Sequence, residues 1–247
     1  MPDVTGYRAK VAVIIPSTNT VVEADFNDLR IPGVTFHAAR MYIERPALDC
    51  DAAFRDLLAQ VDGAFQVALR DVLTCAPDHI TMAMSAPTFW GGAAGNEAFL
   101  ARARSMAPFA ITTGAESCRR ALEAFGAKRI AVLTPYQPVM RKQIVRYFED
   151  VGLRVPAYRD LLCPSATAIA QVQPGTLRDA VRELDGDGID AVVQAGTNLS
   201  MVRLADALEA ELGKPVIAIN AALVWATYRA LGLSDVVAGA GRLLREH

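Results

Sequence analysis

The chain has 247 residues, 52% of them hydrophobic and 21% charged, with a formal net charge of −2. This composition supplies a sizeable core and excludes a disordered chain, while the slightly acidic balance offers no basic surface for a phosphate backbone or an anionic membrane. The length suits one large domain or two of roughly 100 to 120 residues each.

Neither a nucleic acid nor a membrane is expected as a partner. The opening MPDVTGYRAK has no apolar signal core, and the hydrophobic runs Val11 to Pro16 and Ala191 to Ala195 are too short to span a bilayer, so the protein is expected in the cytoplasm. Cys50, Cys75, Cys118 and Cys163 are widely spaced without a CxxC pair, which points to free thiols and neither disulfides nor structural zinc.

In chain order, short Val- and Ile-rich runs alternate with stretches of helical period, the pattern of parallel strands covered by helices. Predicted strands are Lys10 to Ile15, Val34 to Arg40, His79 to Met84, Phe109 to Thr112, Arg129 to Thr134, Arg154 to Asp160, Ala191 to Gln194 and Pro215 to Ile219. A helix is predicted over Ser117 to Phe125, with Cys118, Ala121, Leu122 and Phe125 on one face and a stop at Gly126.

The pattern repeats itself. KVAVIIPSTNT from Lys10 echoes RIAVLTPYQPV from Arg129, HITMAMSAPTF from His79 echoes DAVVQAGTNLS from Asp190, and PFAITTGAESCRRALEAFG from Pro108 echoes PVIAINAALVWATYRALG from Pro215. Three βα units matched in the same order imply two pseudo-symmetric α/β halves, each a flavodoxin-like parallel sheet flanked by helices. The expected division is 1–112 plus about 222–247 for the N-terminal half, whose last helix crosses back, and 113–221 for the C-terminal half.

Ligands of open parallel sheets bind beyond the carboxyl ends of the strands, so the repeat places the site in the cleft between the halves. Four strand ends should meet there: Pro16-Ser17-Thr18-Asn19, Ser85-Ala86-Pro87-Thr88, Thr134-Pro135-Tyr136 and Gly196-Thr197-Asn198. Small hydroxyls, amides and backbone N–H groups suit a carboxylate or a developing enolate. Residues of these types after a strand also serve as helix N-caps, and a string of them at one turn exceeds what capping needs. Cys163, in LLCPSATA, is the thiol placed to reach the cleft; Cys118 belongs to a helix core face, and His37, His79 and His247 form no triad or metal set. There is no GxGxxG after the first strand and no GxxxxGK[ST], so no nucleotide cofactor is indicated, and Gly91 to Gly95 reads as a flexible loop near the cleft.

At these strand ends the sequence resembles the aspartate/glutamate racemase superfamily, in its branch of maleate cis-trans isomerases and arylmalonate decarboxylases, over nearly the whole chain. PSTNTVVEADF from Pro16 is similar to the isomerases' first-strand motif, SAPTFWGGAAGN from Ser85 to a decarboxylase carboxylate loop, and LGKPVIAINAALVWATYRALG from Leu212 to the shared C-terminal block. The resemblance implies that Asn19 holds a substrate carboxylate and that Tyr136 donates to the carboxylate or enediolate. It also implies a reactive cysteine at one or both of two symmetric strand ends. Here those positions fall on Met84, or its neighbours Ser85 and Ala86, and on Gly196, none of which offers a thiolate.

Three readings follow. The first is a cofactor-independent isomerase or decarboxylase of a small mono- or dicarboxylate, working through an enolate held by Ser85, Tyr136 and Thr197, with Pro16, Ser17, Asn19, Ala86, Pro87, Thr88, Gly196, Asn198 and Cys163 around the substrate. Cys163, Glu23 or a bound water would then replace the cysteine acid/base. The second is a hydrolase, hydratase or lyase reusing the same shell, and the third a carboxylate-binding protein without catalysis. No metal is expected, and a homodimer is the common assembly of such folds.

Overall fold

The Val- and Ile-rich runs become eight parallel strands in the computed structural model, which describes residues 3–44, 50–107 and 109–247. From the N-terminus the chain forms β1 (Ala9–Pro16), α1 (Val22–Asp28), β2 (Val34–Met41), α2 (Asp51–Leu73), β3 (His79–Met82), α3 (Ser85–Phe89), α4 (Gly92–Met106), β4 (Ile111–Thr113) and α5 (Gly114–Ala124). Then come β5 (Arg129–Thr134), α6 (Pro138–Asp150), β6 (Arg154–Asp160), α7 (Ala166–Ile169), α8 (Pro174–Leu184), β7 (Ala191–Gln194), α9 (Val202–Leu212), β8 (Val216–Ala218), α10 (Ile219–Ala230) and α11 (Arg242–Glu246).

The sheet orders are β2-β1-β3-β4 and β6-β5-β7-β8, so the two four-stranded sheets are wound alike. That is the pseudo-symmetric α/β architecture the repeat implies. Central strands β3 and β7 are buried throughout, as strands covered on both faces must be, whereas edge strands β2 and β6 are partly exposed. The same staple starts each sheet. Asp78 accepts a hydrogen bond from the Lys10 N–H at 2.8 Å, and Asp190 accepts from the N–H groups of Lys128 and Arg129 at 2.8 and 2.7 Å.

The helix α10 is buried at every residue from Ile219 to Tyr228, which demands apolar neighbours on all sides. It packs on α5 and α1. The Tyr228 hydroxyl donates to the Leu29 carbonyl at 2.9 Å, and Thr227 shares a hydrogen bond with Thr81 of β3 at 2.8 Å. The end of the chain therefore returns to the first half.

Three boundaries are informative where they differ from expectation. The third strand stops at Met82, β4 lies at Ile111–Thr113, and α5 begins at Gly114, where Thr113 caps the Glu116 N–H at 3.4 Å. A capping residue followed three positions later by Glu starts a helix ahead of its apolar face. Pro108, which opens one of the repeat matches, lies outside the described residues. The Gly91 to Gly95 stretch is not a loop: it opens α4. Gly91 and Gly92 take φ of +80° and +70°, and a Cβ on Gly95 would stand 1.9 Å from the Trp90 carbonyl oxygen. These glycines permit a left-handed turn and close packing. Among the described residues no helix is long and apolar enough to cross a membrane, and no group of three His, Cys, Asp or Glu side chains could hold a metal.

Candidate active site

Four strand ends meet between the halves, and the first of them shows how a cap also becomes a site residue. The side-chain oxygen of Asn19 accepts the N–H groups of Val21 and Val22, both at 2.9 Å, and so caps α1. This fixes the amide and turns its Nδ2 across the cleft towards the Thr197 hydroxyl, 3.5 Å away. Asn198 is spent on structure: its oxygen accepts the Thr20 N–H at 3.0 Å and its Nδ2 donates to the Ala166 carbonyl at 2.9 Å.

Beyond the third and fifth strands, the hydroxyls of Ser85 and Tyr136 are hydrogen-bonded at 2.5 Å, one from each half. Two hydroxyls carry two protons; one closes this bond and the other is left for an acceptor. Burial pushes the Tyr136 phenol up to about 12 against the opposing effect of the Ser85 hydrogen bond, so the group is a neutral donor at ordinary pH. Phe54 of α2 packs edge-on to its ring with centroids 5.6 Å apart.

A cavity of about 40 Å³ lies at this junction. Thr18, Asn19, Tyr136 and Thr197 give it hydroxyl and amide groups, and Met84 and Ala86 give it apolar wall. Leu57 from α2 and Ile169 from α7 also line it, one from each half. Among the described residues its lining contains no charged side chain.

The remaining sequence candidates stand around this cavity in different ways. Pro16 and Asn198 complete its lining. Ser17 accepts the Ile43 N–H at 3.0 Å and ties the end of β1 to the chain after β2. Thr88 points into the protein, donating to the Ser85 carbonyl at 2.8 Å and accepting the Ala115 N–H at 3.3 Å. Pro87 faces an outer groove with Trp90 and Arg102. Gly196 backs onto the proline ring beside Tyr136, where a Cβ would come within 2.6 Å of Pro135. Cys163 is buried outside the cavity lining, its N–H donating to the Pro135 carbonyl at 2.9 Å, and burial raises its thiol pKa. Glu23 is paired with Arg40, which also donates to the Asn19 carbonyl at 3.0 Å; both belong to the outer face of the β1–α1 turn.

Sequence reasoning missed one cluster. Asn220, at the start of α10, uses its Nδ2 to donate to the Asp25 carboxylate at 2.7 Å and to the Thr197 carbonyl at 3.0 Å. The signal was present, since Val22, Asp25, Phe26 and Leu29 share one helical face and three of them are core residues. An acidic residue in that stripe is unusual.

A family model described as arylmalonate decarboxylase matches residues 11–244. The chain belongs to this family. It is 29% identical to a maleate isomerase of Pseudomonas putida over 243 residues, which covers 95% of this chain and 96% of the relative. It is also 29% identical to an arylmalonate decarboxylase of Bordetella bronchiseptica over 165 residues, covering 64% of this chain and 68% of that one. Among solved structures, a Nocardia farcinica maleate cis-trans isomerase carrying a Cys-to-Ser substitution and a covalently bound succinylcysteine intermediate superposes with a TM-score of 0.86 at 24% identity, covering 96% of this chain and 98% of the other. Family membership and the shared fold support an enzyme of isomerase or decarboxylase type, and the wound-alike sheets are those of its structural neighbours.

Proposed function

We propose that this arylmalonate decarboxylase family member acts on a small carboxylic acid through an enolate-type intermediate, with hydroxyl and amide donors in place of a cysteine thiolate. The observation that carries this reading is the junction itself: Tyr136 bonded to Ser85, and Asn19 facing Thr197, around a cavity that no cysteine lines.

The succinylcysteine of the Nocardia relative is a thiol adduct of its substrate. The family resemblance places the two reactive cysteines at Met84, or its neighbours Ser85 and Ala86, and at Gly196, and none of these residues offers a thiol. Addition of a protein thiol to a double bond has no nucleophile at this cavity. Decarboxylation needs none. When CO₂ leaves, the electron pair of the broken C–C bond passes into the remaining carboxylate as an enediolate, and a proton from water is then delivered to the carbon. The free proton of the Tyr136–Ser85 pair and the Thr197 hydroxyl stabilise the developing negative oxygen, where preorganised donors are most effective. Exchange of an α-proton passes through the same intermediate, and needs in addition a base to take the proton from carbon.

The cavity of about 40 Å³ is small for a carboxylic acid, and Leu57 and Ile169, which line it from the two halves, are the side chains whose movement would enlarge it for a substrate. Proton NMR in D₂O with maleate, aryl- and alkylmalonates and hydroxy acids tests the reading. Loss of carboxylate, isomerisation or deuterium at the α-carbon is the expected outcome. Silence throughout, with some acids still raising the melting temperature, would replace enolate chemistry with carboxylate binding or a water-dependent reaction.

A further inference from the structure

A carboxylate inside a protein is expensive unless a cation or several donors meet it. Asp25 is 8% exposed, and among the described residues no Lys, Arg or His nitrogen lies within ion-pairing distance of it. Its side-chain hydrogen bond comes from the neutral Asn220 amide at 2.7 Å. The charged groups facing it are Asp28 on its own helix and Arg203 on α9, and these two pair with each other at 3.5 Å. From α10, the helix packed on α1, the group reaching Asp25 is Asn220.

Asn220 is itself an anomaly. Its Nδ2 serves both Asp25 and the Thr197 carbonyl, whereas its Oδ1 is buried without a hydrogen-bond partner. An amide with both protons committed and its oxygen orphaned is held in one orientation by its acceptors. Exchanging oxygen and nitrogen would set Oδ1 against the Thr197 carbonyl, acceptor on acceptor.

We propose that Asp25 is a positioning residue for the candidate active site, acting through Asn220 to hold the Thr197 turn against the cleft. The proposal rests on the reading of the cleft given above. As a carboxylate, Asp25 accepts from Nδ2 and the amide grips the Thr197 carbonyl, which presents the Thr197 hydroxyl opposite Asn19. Once protonated, Asp25 becomes a donor, and the free acceptor beside it is the orphaned Oδ1. The amide then turns towards that partner and releases Thr197. Burial, the largest influence on Asp25, raises its pKa to about 6, so the change falls within an accessible range. The assembled state is the one above that pH.

The test pairs a pH profile with a spectroscopic readout. In the wild type, kcat on whichever acid is turned over should fall about tenfold per pH unit below about 6, while KM moves less. Asp25→Asn, which cannot ionise and always offers Asn220 a donor as the protonated acid does, should lose the pH dependence and hold kcat at the low-pH level of the wild type throughout. Asp25→Ala should lower kcat at every pH. In ¹H–¹⁵N spectra the amides of Thr197 and Asn198 should titrate with a midpoint near 6 in wild type and stay flat in Asp25→Asn. Superimposable profiles for wild type and Asp25→Asn, or a Thr197 amide that ignores pH in the wild type, would overturn the proposal. A wild type that turns over none of the acids would sink the enolate reading instead, and the amide titration would still decide the coupling.

Discussion

Tyr136 and Ser85 share a single hydrogen bond across the two halves, and what each contributes is separable by removing one hydroxyl at a time. Tyr136→Phe keeps the ring that packs on Phe54 and deletes the donor. If this donor meets the developing oxyanion, kcat should fall by about 10²- to 10³-fold, the usual effect of losing one such group, with little change in KM. Steady-state kinetics on an acid identified by NMR would measure this, and an unchanged kcat would remove Tyr136 from the chemistry. Met84 and Gly196, two of the positions at which the resemblance would place a reactive cysteine, should respond differently to an introduced thiol. Met84 lines the cavity, so Met84→Cys replaces one flexible apolar side chain by a smaller one. Gly196→Cys must move Pro135 or itself, because its Cβ would stand 2.6 Å from that ring. Denaturant unfolding should show Gly196→Cys destabilised by about 1–3 kcal/mol, the cost of overpacking, and Met84→Cys by less than Gly196→Cys.

Within single elements, α1 combines a core stripe with one misplaced charge, and this has a consequence for stability that needs no substrate. The folded protein keeps the proton on Asp25 up to about pH 6, whereas an unfolded chain releases it in the ordinary carboxylate range. Folding is therefore favoured by this group at low pH, and the advantage is lost as pH rises through about 6. Ionised and buried, it costs roughly 3 kcal/mol at neutral pH. Asp25→Asn should match the wild type near pH 4 and melt higher at pH 8; equal melting temperatures at both values would show that the carboxylate is better solvated than its burial suggests. The same helix shows what a sequence reveals and what it hides. Strands β5 and β7 lie at the expected residues because apolar runs rich in Val bounded by turn residues leave one option, and the edge strand β6 lies as expected too, without such a run. The start of α5 was missed because the apolar period at Cys118, Ala121 and Leu122 begins a turn later than its Thr113 cap. Asn19, Tyr136 and Thr197 were legible through the repeat, which marks equivalent strand ends. The pairing of Asp25 with Asn220 was not, since it joins residues far apart in the chain through one amide, and neither residue type announces its partner.

At the scale of the whole molecule, the cavity takes one helical wall from each half: Leu57 on the long α2 and Ile169 on the short α7. The donors also divide between the halves, Asn19 and Ser85 on one side and Tyr136 and Thr197 on the other. A bound carboxylate should therefore act as a clamp between halves, and its effect should exceed the contacts made at either wall. An acid present at a hundred times its dissociation constant stabilises the folded state by about 2.7 kcal/mol, which for a chain of this size is a rise of roughly 5–10 °C in melting temperature. Where that protection appears is the sharper question. Hydrogen exchange should slow in α2 and α7 together, since closing either element alone leaves the cavity open to water. It should change little in β3 and β7, which are buried with or without a ligand. Protection confined to one half would mean that the ligand binds a single wall, and the cleft between the halves would then no longer qualify as the place where the chemistry happens.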